Sequence, residues 1–124
     1  MDWTNKSVLI AEDEDTNFML LEEYLEPTGI RIFRAYNGLE VMSIFNQHKL
    51  DLILMDMKMP LMTGYEAVIK IRESNKKIPI IAQTAYAMLG DKDKILEVGC
   101  NDYIAKPIIE DVLLNKILEV FNGS

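Results

Sequence analysis

The sequence predicts an α/β fold, a three-layer doubly wound sheet of five parallel strands. Two patterns and one total predict it. Five short apolar runs alternate with five longer amphipathic stretches, and such alternation implies parallel strands joined by right-handed crossovers. The third run, LDLILM, holds four consecutive apolar residues, as a strand covered on both faces does. The chain is 124 residues long, 49% hydrophobic and 27% charged, which suits one domain around one substantial core. A flavodoxin-like order, 2-1-3-4-5, is one of two common choices for such a sheet, and pattern alone does not fix it.

SVLIA at 7–11 reads as a buried strand. Over 16–28 the period becomes helical, with Phe18, Leu21 and Leu25 on one stripe and Glu22, Glu23 and Glu26 largely off it. Gly29 suits the end of that helix. IRIFRA at 30–35 alternates apolar and polar, as a half-buried edge strand would. Residues 38–46 read as a second helix with Val41, Ile44 and Phe45 inward, and 50–55 as the third strand. A third helix over 65–73 turns Val68 and Ile71 inward and leaves Glu66, Lys70 and Arg72 more exposed. IPIIAQT at 78–84 is the fourth strand, entered through Pro79. Residues 91–98 form a fourth helix closed by Gly99, and DYIA at 102–105 a short fifth strand. The last helix, 109–121, buries Val112, Leu113, Ile117 and Val120.

The totals exclude several function classes. No apolar stretch approaches the roughly 18 residues of a membrane span, and MDWTNK at the start has no apolar h-region. The single cysteine, Cys100, allows no internal disulfide, which fits a reducing compartment and a cytoplasmic location. A net charge of −7 repels phosphates of nucleic acid and anionic lipid, so neither is an expected direct partner.

The polar residues that end the strands are more informative. Glu12 and Asp13 follow the first strand, Asp56 the third, Thr84 closes the fourth, and Lys106 follows the fifth. In a parallel sheet these ends share one edge, where ligands bind at the point at which strand order reverses. In a 2-1-3-4-5 order that point lies between the first and third strands, so Glu12, Asp13 and Asp56 meet there. Three carboxylates together repel one another, and a divalent cation relieves this. Oxygen-only ligands favour Mg²⁺, Ca²⁺ or Mn²⁺ over zinc, and Mg²⁺ readily completes its shell with a phosphate. A hydroxyl at Thr84 and an ammonium at Lys106 then face the same spot, the lysine as a point charge suited to phosphate. A carboxylate, a metal, a hydroxyl and a lysine are the parts that make and hold an aspartyl phosphate. On this reading Asp56 ends its strand as a nucleophile exposed on a rigid support.

This constellation closely resembles the receiver domain of two-component response regulators, over nearly the whole chain. The resemblance rests on LIAEDED, DLILMDMKMP, MPLMTGYEA, PIIAQTAYAM and GCNDYIAKP, in that order and at family spacing. DWTNKSVLIAEDE and QTAYAM look most like receivers fused behind histidine kinases, that is, hybrid sensor kinases. The resemblance implies a lead or linker over 1–5, a receiver domain over 6–121 with strand order 2-1-3-4-5, and a tail over 122–124. It implies that Asp56 takes a phosphoryl group from the phosphohistidine of a histidine kinase or phosphotransfer domain, and that the domain then switches conformation. Glu12, Asp13, Asp56 and the backbone carbonyl of Lys58 would hold Mg²⁺ or Mn²⁺. Thr84 and Lys106 would contact the phosphoryl oxygens, and Tyr103 would change rotamer with Thr84. Lys106-Pro107 would be a cis peptide. Homodimerisation on phosphorylation is a further expectation. So is a role as a phosphoacceptor that promotes its own phosphorylation and dephosphorylation, rather than a turnover enzyme. A stand-alone response regulator is the alternative setting, and a hybrid kinase would make this the cytoplasmic part of a membrane sensor.

Two positions depart from the family. Thr63 stands where an Asp usually precedes the glycine, and Gln83 precedes the switch threonine. Two more are placed to govern phosphoryl lifetime: Lys58, two after Asp56, and Tyr86, two after Thr84. Neither is a good base, so slow self-dephosphorylation is expected. Glu14 and Asp15 read as favourable charge at a helix N-terminus, His48 as a solvated loop residue, and the methionines as core and loop filler. Two other functions compete. An aspartate-nucleophile phosphatase usually carries a second acid two residues on, where this chain has Lys58. A binding module that no longer uses phosphate conflicts with the complete set of Glu12, Asp13, Asp56, Thr84 and Lys106.

Overall fold

The computed structural model describes residues 1–85 and 89–123, with the backbone alone at 89 and 90. Along the chain run β1 (Ser7–Ala11), α1 (Asp15–Leu25), a short 3₁₀ turn, β2 (Arg31–Ala35), α2 (Gly38–Gln47), β3 (Leu52–Asp56), α3 (Gly64–Ser74), β4 (Ile80–Thr84), α4 (Leu89–Val98), β5 (Asp102–Ala105) and α5 (Glu110–Phe121). The strands form one sheet in the order β2-β1-β3-β4-β5, and every pairing is parallel. The expected doubly wound, flavodoxin-like topology is therefore present, with strand order reversing between β1 and β3. Among the described residues no helix is long and apolar enough to cross a membrane.

Alternation along the strands divides the core in two. Leu9, Ile53, Met55 and Ala82 face α2, α3 and α4, where Val41, Val68, Ile71 and Ile95 meet them. Val8, Ile10, Leu52, Leu54 and Ile81 face α1 and α5, against Phe18, Leu21, Leu25, Leu113 and Ile117. All five residues of β3 are buried, as its apolar run predicts, whereas only Ala35 of β2 is, as expected of an edge strand.

The loops at the carboxyl edge are built by local chemistry. Thr63, the departure noted above, caps α3. Its Oγ1 accepts from the Glu66 N–H at 3.2 Å, and Glu66 Oε1 accepts from the Thr63 N–H at 3.1 Å, a reciprocal capping box. Gly64 starts the helix hard against β3, so that a Cβ there would strike the Asp56 carbonyl oxygen and Met57 Cα. Only glycine fits that approach.

Several expectations need adjustment. Val112 is 40% exposed, while Leu113 and Ile117 are fully buried. These two lie one helical turn apart at the centre of the α5 stripe, and Val112, 100° away, falls beyond its margin. Arg72 is not a free surface cation. Its guanidinium donates to the carbonyls of Gly99 and Asn75 and to Asn101 Oδ1 at 2.9–3.1 Å. The residues ahead of Lys6 include a core side chain: Trp3 is 6% exposed, meets Phe121 edge-on at 5.2 Å, and donates its backbone N–H to Thr28 at 2.8 Å. His48 is exposed but stacks on Phe33 at 4.4 Å.

Candidate functional site

A cavity of about 230 Å³ opens at the carboxyl edge, lined by Asp13, Glu14, Asp56, Met57, Lys58, Gln83, Thr84, Ala85 and Lys106. Parallel register places these groups. Asp56 pairs with Gln83 across β3 and β4, and Thr84 with Ala105 across β4 and β5. Lys106, the next residue, is tied back by donating its N–H to the Thr84 carbonyl at 2.8 Å. The Lys106-Pro107 peptide is cis, as expected.

Asp56 differs from expectation in one respect: it is 5% exposed, at the floor of a cavity rather than on an exposed support. Its burial is offset by two partners. Oδ1 accepts from the Lys58 N–H at 2.9 Å, and Oδ2 from the Lys106 ammonium at 3.1 Å. Lys106 comes from 50 residues away, which is why the burial could not be read locally.

Glu12 is fully buried beside it. Oε2 accepts from the Glu14 N–H at 3.2 Å. Oε1 lies 3.1 Å from Lys106 Nζ, an ion pair not aligned as a hydrogen bond. Burial, and after it the negative charge of Asp56, pushes the Glu12 carboxyl up to about 7, against the pull of the Glu14 N–H and Lys106. Burial works against the Lys106 ammonium, but the charge and hydrogen bond of Asp56, and then Glu12, outweigh it and hold its pKa above the usual lysine value.

Asp13 is exposed at the mouth, and carboxylate oxygens of Glu12, Asp13 and Asp56 lie within 4.8 Å of one another. Around a six-coordinate Mg²⁺, neighbouring oxygens are about 3 Å apart and opposite ones about 4.2 Å. The three carboxylates therefore suit a small hard cation with little movement. Lys106 pairs with Glu12 and Asp56 but not with Asp13, and the three gathered carboxylates favour a divalent ion.

The structure thus brings together Glu12, Asp13, Asp56, Lys58, Thr84 and Lys106. Tyr103 stands apart from the cavity, half-buried on β5. Its register partner is Ala82, so it shares a sheet face with Thr84, two residues further along β4. The ammonium groups of Lys92 and Lys116 lie 5.1 and 5.6 Å from the Tyr103 ring centroid. Tyr86 lies outside the described residues. Glu14 and Gln83 line the cavity without having been singled out for it. The sequence signal for Gln83 is an amide directly after the apolar run of β4. The signal for Glu14 is lost among the neighbouring acids of EDED. Asp15 points away, to Arg34 at 2.8 Å.

Comparison with known proteins agrees with this geometry. A family model described as the response regulator receiver domain matches residues 8–118. The polar-differentiation response regulator DivK of Brucella anthropi is 41% identical over 105 residues, 83% of this chain and 85% of that one. Among solved structures, one match is the receiver domain of a sensor histidine kinase of Pseudomonas aeruginosa, with a magnesium ion coordinated in its active site cleft. It is 35% identical, with a TM-score of 0.85 over 96% of this chain and 98% of that one. Another comes from the complex of the Saccharomyces cerevisiae phosphotransfer protein Ypd1 with the receiver domain of its downstream response regulator Ssk1. It is 36% identical, with a TM-score of 0.87 over 92% of this chain and 87% of that one. With its fold, its acidic cavity and a family match over most of its length in agreement, the chain belongs to the response-regulator receiver domain family.

Proposed function

We propose that Asp56 is the phosphoacceptor of this receiver domain, with Mg²⁺ or Mn²⁺ held by Glu12, Asp13, Asp56 and the Lys58 carbonyl. The observation that carries the reading is the Asp56 carboxylate at the cavity floor, with Lys106 at 3.1 Å and two further carboxylates within 4.8 Å. An Asp56 oxygen forms the new O–P bond as the N–P bond to the donor imidazole breaks, and the imidazole leaves with the electron pair. The bound cation would supply charge neutralisation for the transferring phosphoryl oxygens. Lys106, held within reach by its two carboxylates, turns its ammonium to one of those oxygens, and the Thr84 hydroxyl donates to another. The added charge of about −1.5 to −2 draws Thr84 toward the site, and Tyr103, on the same face, moves into the space released. The last steps are a population shift between two packings of β4, α4 and β5.

The donor is a phosphohistidine of a histidine kinase or a phosphotransfer domain. The setting is a hybrid histidine kinase. A second reading, a stand-alone regulator, is favoured by the Brucella relative, 85% of whose length this one domain covers. The size of the natural protein on an immunoblot separates the two. Lys58 sits at the cavity as a cation that cannot activate water, which supports slow loss of the phosphoryl group. The domain needs no separate catalyst to accept phosphate from a small donor. Incubation with acetyl phosphate and Mg²⁺ should therefore add one phosphoryl mass to wild type and none to Asp56→Asn. Retention of that mass gain in Asp56→Asn would sink the assignment.

A further inference from the structure

The β1–α1 loop that carries Glu12 and Asp13 is held from behind by a residue that phosphotransfer does not use. Arg34, fourth in β2, reaches across to it. Its Nε and Nη2 each donate to the Glu12 carbonyl at 3.2 Å, and Nη2 pairs with Asp15 Oδ1 at 2.8 Å. The guanidinium carbon lies 4.3 Å from the Phe18 ring centroid and 3.9 Å from that of Tyr36. The side chain is only 15% exposed. On the other side of the same residue, the Glu12 N–H donates to the Ala35 carbonyl at 3.0 Å. Both peptide groups flanking Glu12 are therefore anchored to β2.

The Glu12 carbonyl and the Asp13 N–H belong to one rigid peptide plane. Fixing the carbonyl by a two-pronged donor fixes the start of Asp13, whose exposed carboxylate is otherwise held by no regular structure. We infer that Arg34 is a positioning residue for cation binding, holding the Glu12–Asp13 peptide so that the Asp13 carboxylate stays beside those of Glu12 and Asp56. The inference rests on the metal reading above. The role demands arginine: lysine keeps the charge but loses both the planar fork and the flat face against the two rings.

Charge and geometry predict opposite signs, which makes the inference testable. Removing a cation near three carboxylates should, by Coulomb's law alone, tighten Mg²⁺ binding. Loss of positioning should weaken it. Mg²⁺ affinity is measured by calorimetry on wild type, Arg34→Lys, Arg34→Met and Asp15→Asn, with amide exchange in EDTA on each. Arg34→Lys and Arg34→Met should each weaken Mg²⁺ binding about tenfold, the scale of losing a group that orients a metal ligand. Exchange at the Glu12 and Glu14 amides, bonded to the Ala35 carbonyl and to Glu12 Oε2, should quicken in both, while that at Ile53 and Leu113 stays slow. Asp15→Asn should change affinity less than threefold. Unchanged or tighter Mg²⁺ binding in Arg34→Met overturns the inference. If either Arg34 variant unfolds, Tyr36→Leu carries the test, since Tyr36 is 46% exposed. It should weaken binding two- to threefold, and unaltered affinity would count against Arg34. Absence of Mg²⁺ binding in wild type would instead overturn the metal reading itself.

Discussion

At the amino end of the sheet, Asp51 accepts from the Ser7 N–H at 2.8 Å, and Asn101 accepts from the Ile80 N–H at 2.9 Å and from Arg72 at 3.1 Å. Asn75 accepts from the N–H groups of Lys77 and Ile78, both at 2.9 Å. At the carboxyl end, Glu12 and Asp56 are buried against each other and share the single ammonium of Lys106. One end uses polar side chains to satisfy the backbone donors that strand starts leave open. The other gathers like charges faster than it gathers partners. The difference teaches which edge of the sheet serves stability and which serves chemistry, since a cluster of this kind persists only where the rest of the fold carries it.

Substitution at the two ends should therefore have opposite signs. The largest effect on stability is expected at Glu12. Its carboxyl is raised to about 7 when folded, from 4.5, so between those values the folded state holds a proton that the unfolded state does not. Stability in EDTA should then fall as pH rises from about 4.5 through 7. Glu12→Gln should flatten that slope and stabilise the metal-free domain at pH 8 by on the order of 3 kcal/mol, read by urea denaturation. Loss of stability in Glu12→Gln at pH 8 would erase the contrast between the ends. Next in size is Arg72→Ala, which removes three hydrogen bonds at the amino end. It should cost about 2 kcal/mol while leaving the extent of phosphorylation by acetyl phosphate unchanged; impaired phosphorylation would show that the ends are coupled. The smallest is Asp51→Ala, expected to cost about 1 kcal/mol through the Ser7 N–H it leaves unmet. A stabilised Asp51→Ala would mean that the amino end, too, holds surplus acid.

The elements were legible in the sequence because each rests on local signals: apolar runs for β1, β3 and β4, helical stripes for α1 and α3, glycine closing α4. Strand ends also pointed to Glu12, Asp13, Asp56, Thr84 and Lys106, because a parallel sheet must put them on one edge. What escaped was set by partners distant in sequence. One of the two partners that offset the burial of Asp56, Lys106, arrives from 50 positions away. Arg72 and Arg34 look like surface cations in a list of residues, but Arg72 donates to Gly99 and Asn101, 27 and 29 positions away, and Arg34 to Glu12, 22 away. Trp3 escaped for another reason: one apolar residue in a polar lead has no period to read. Val112 was misplaced because a helical stripe has margins that a short pattern cannot locate.

Positions 63 and 64 show how unequal the freedom of adjacent residues can be. Position 63 requires only an oxygen that can accept from the N–H of residue 66, a need that threonine, serine, aspartate and asparagine all meet. That is why Thr63 can stand where the resemblance leads one to expect an acid. Position 64 requires the absence of a carbon, because the Asp56–Met57 backbone already fills the space. Evolution can exchange one residue within a class of chemistry, while at its neighbour it has a single acceptable codon family. The start of α3 therefore leaves no room for any side chain against the Asp56 backbone, and sequence drift in this loop must fall on positions other than 64.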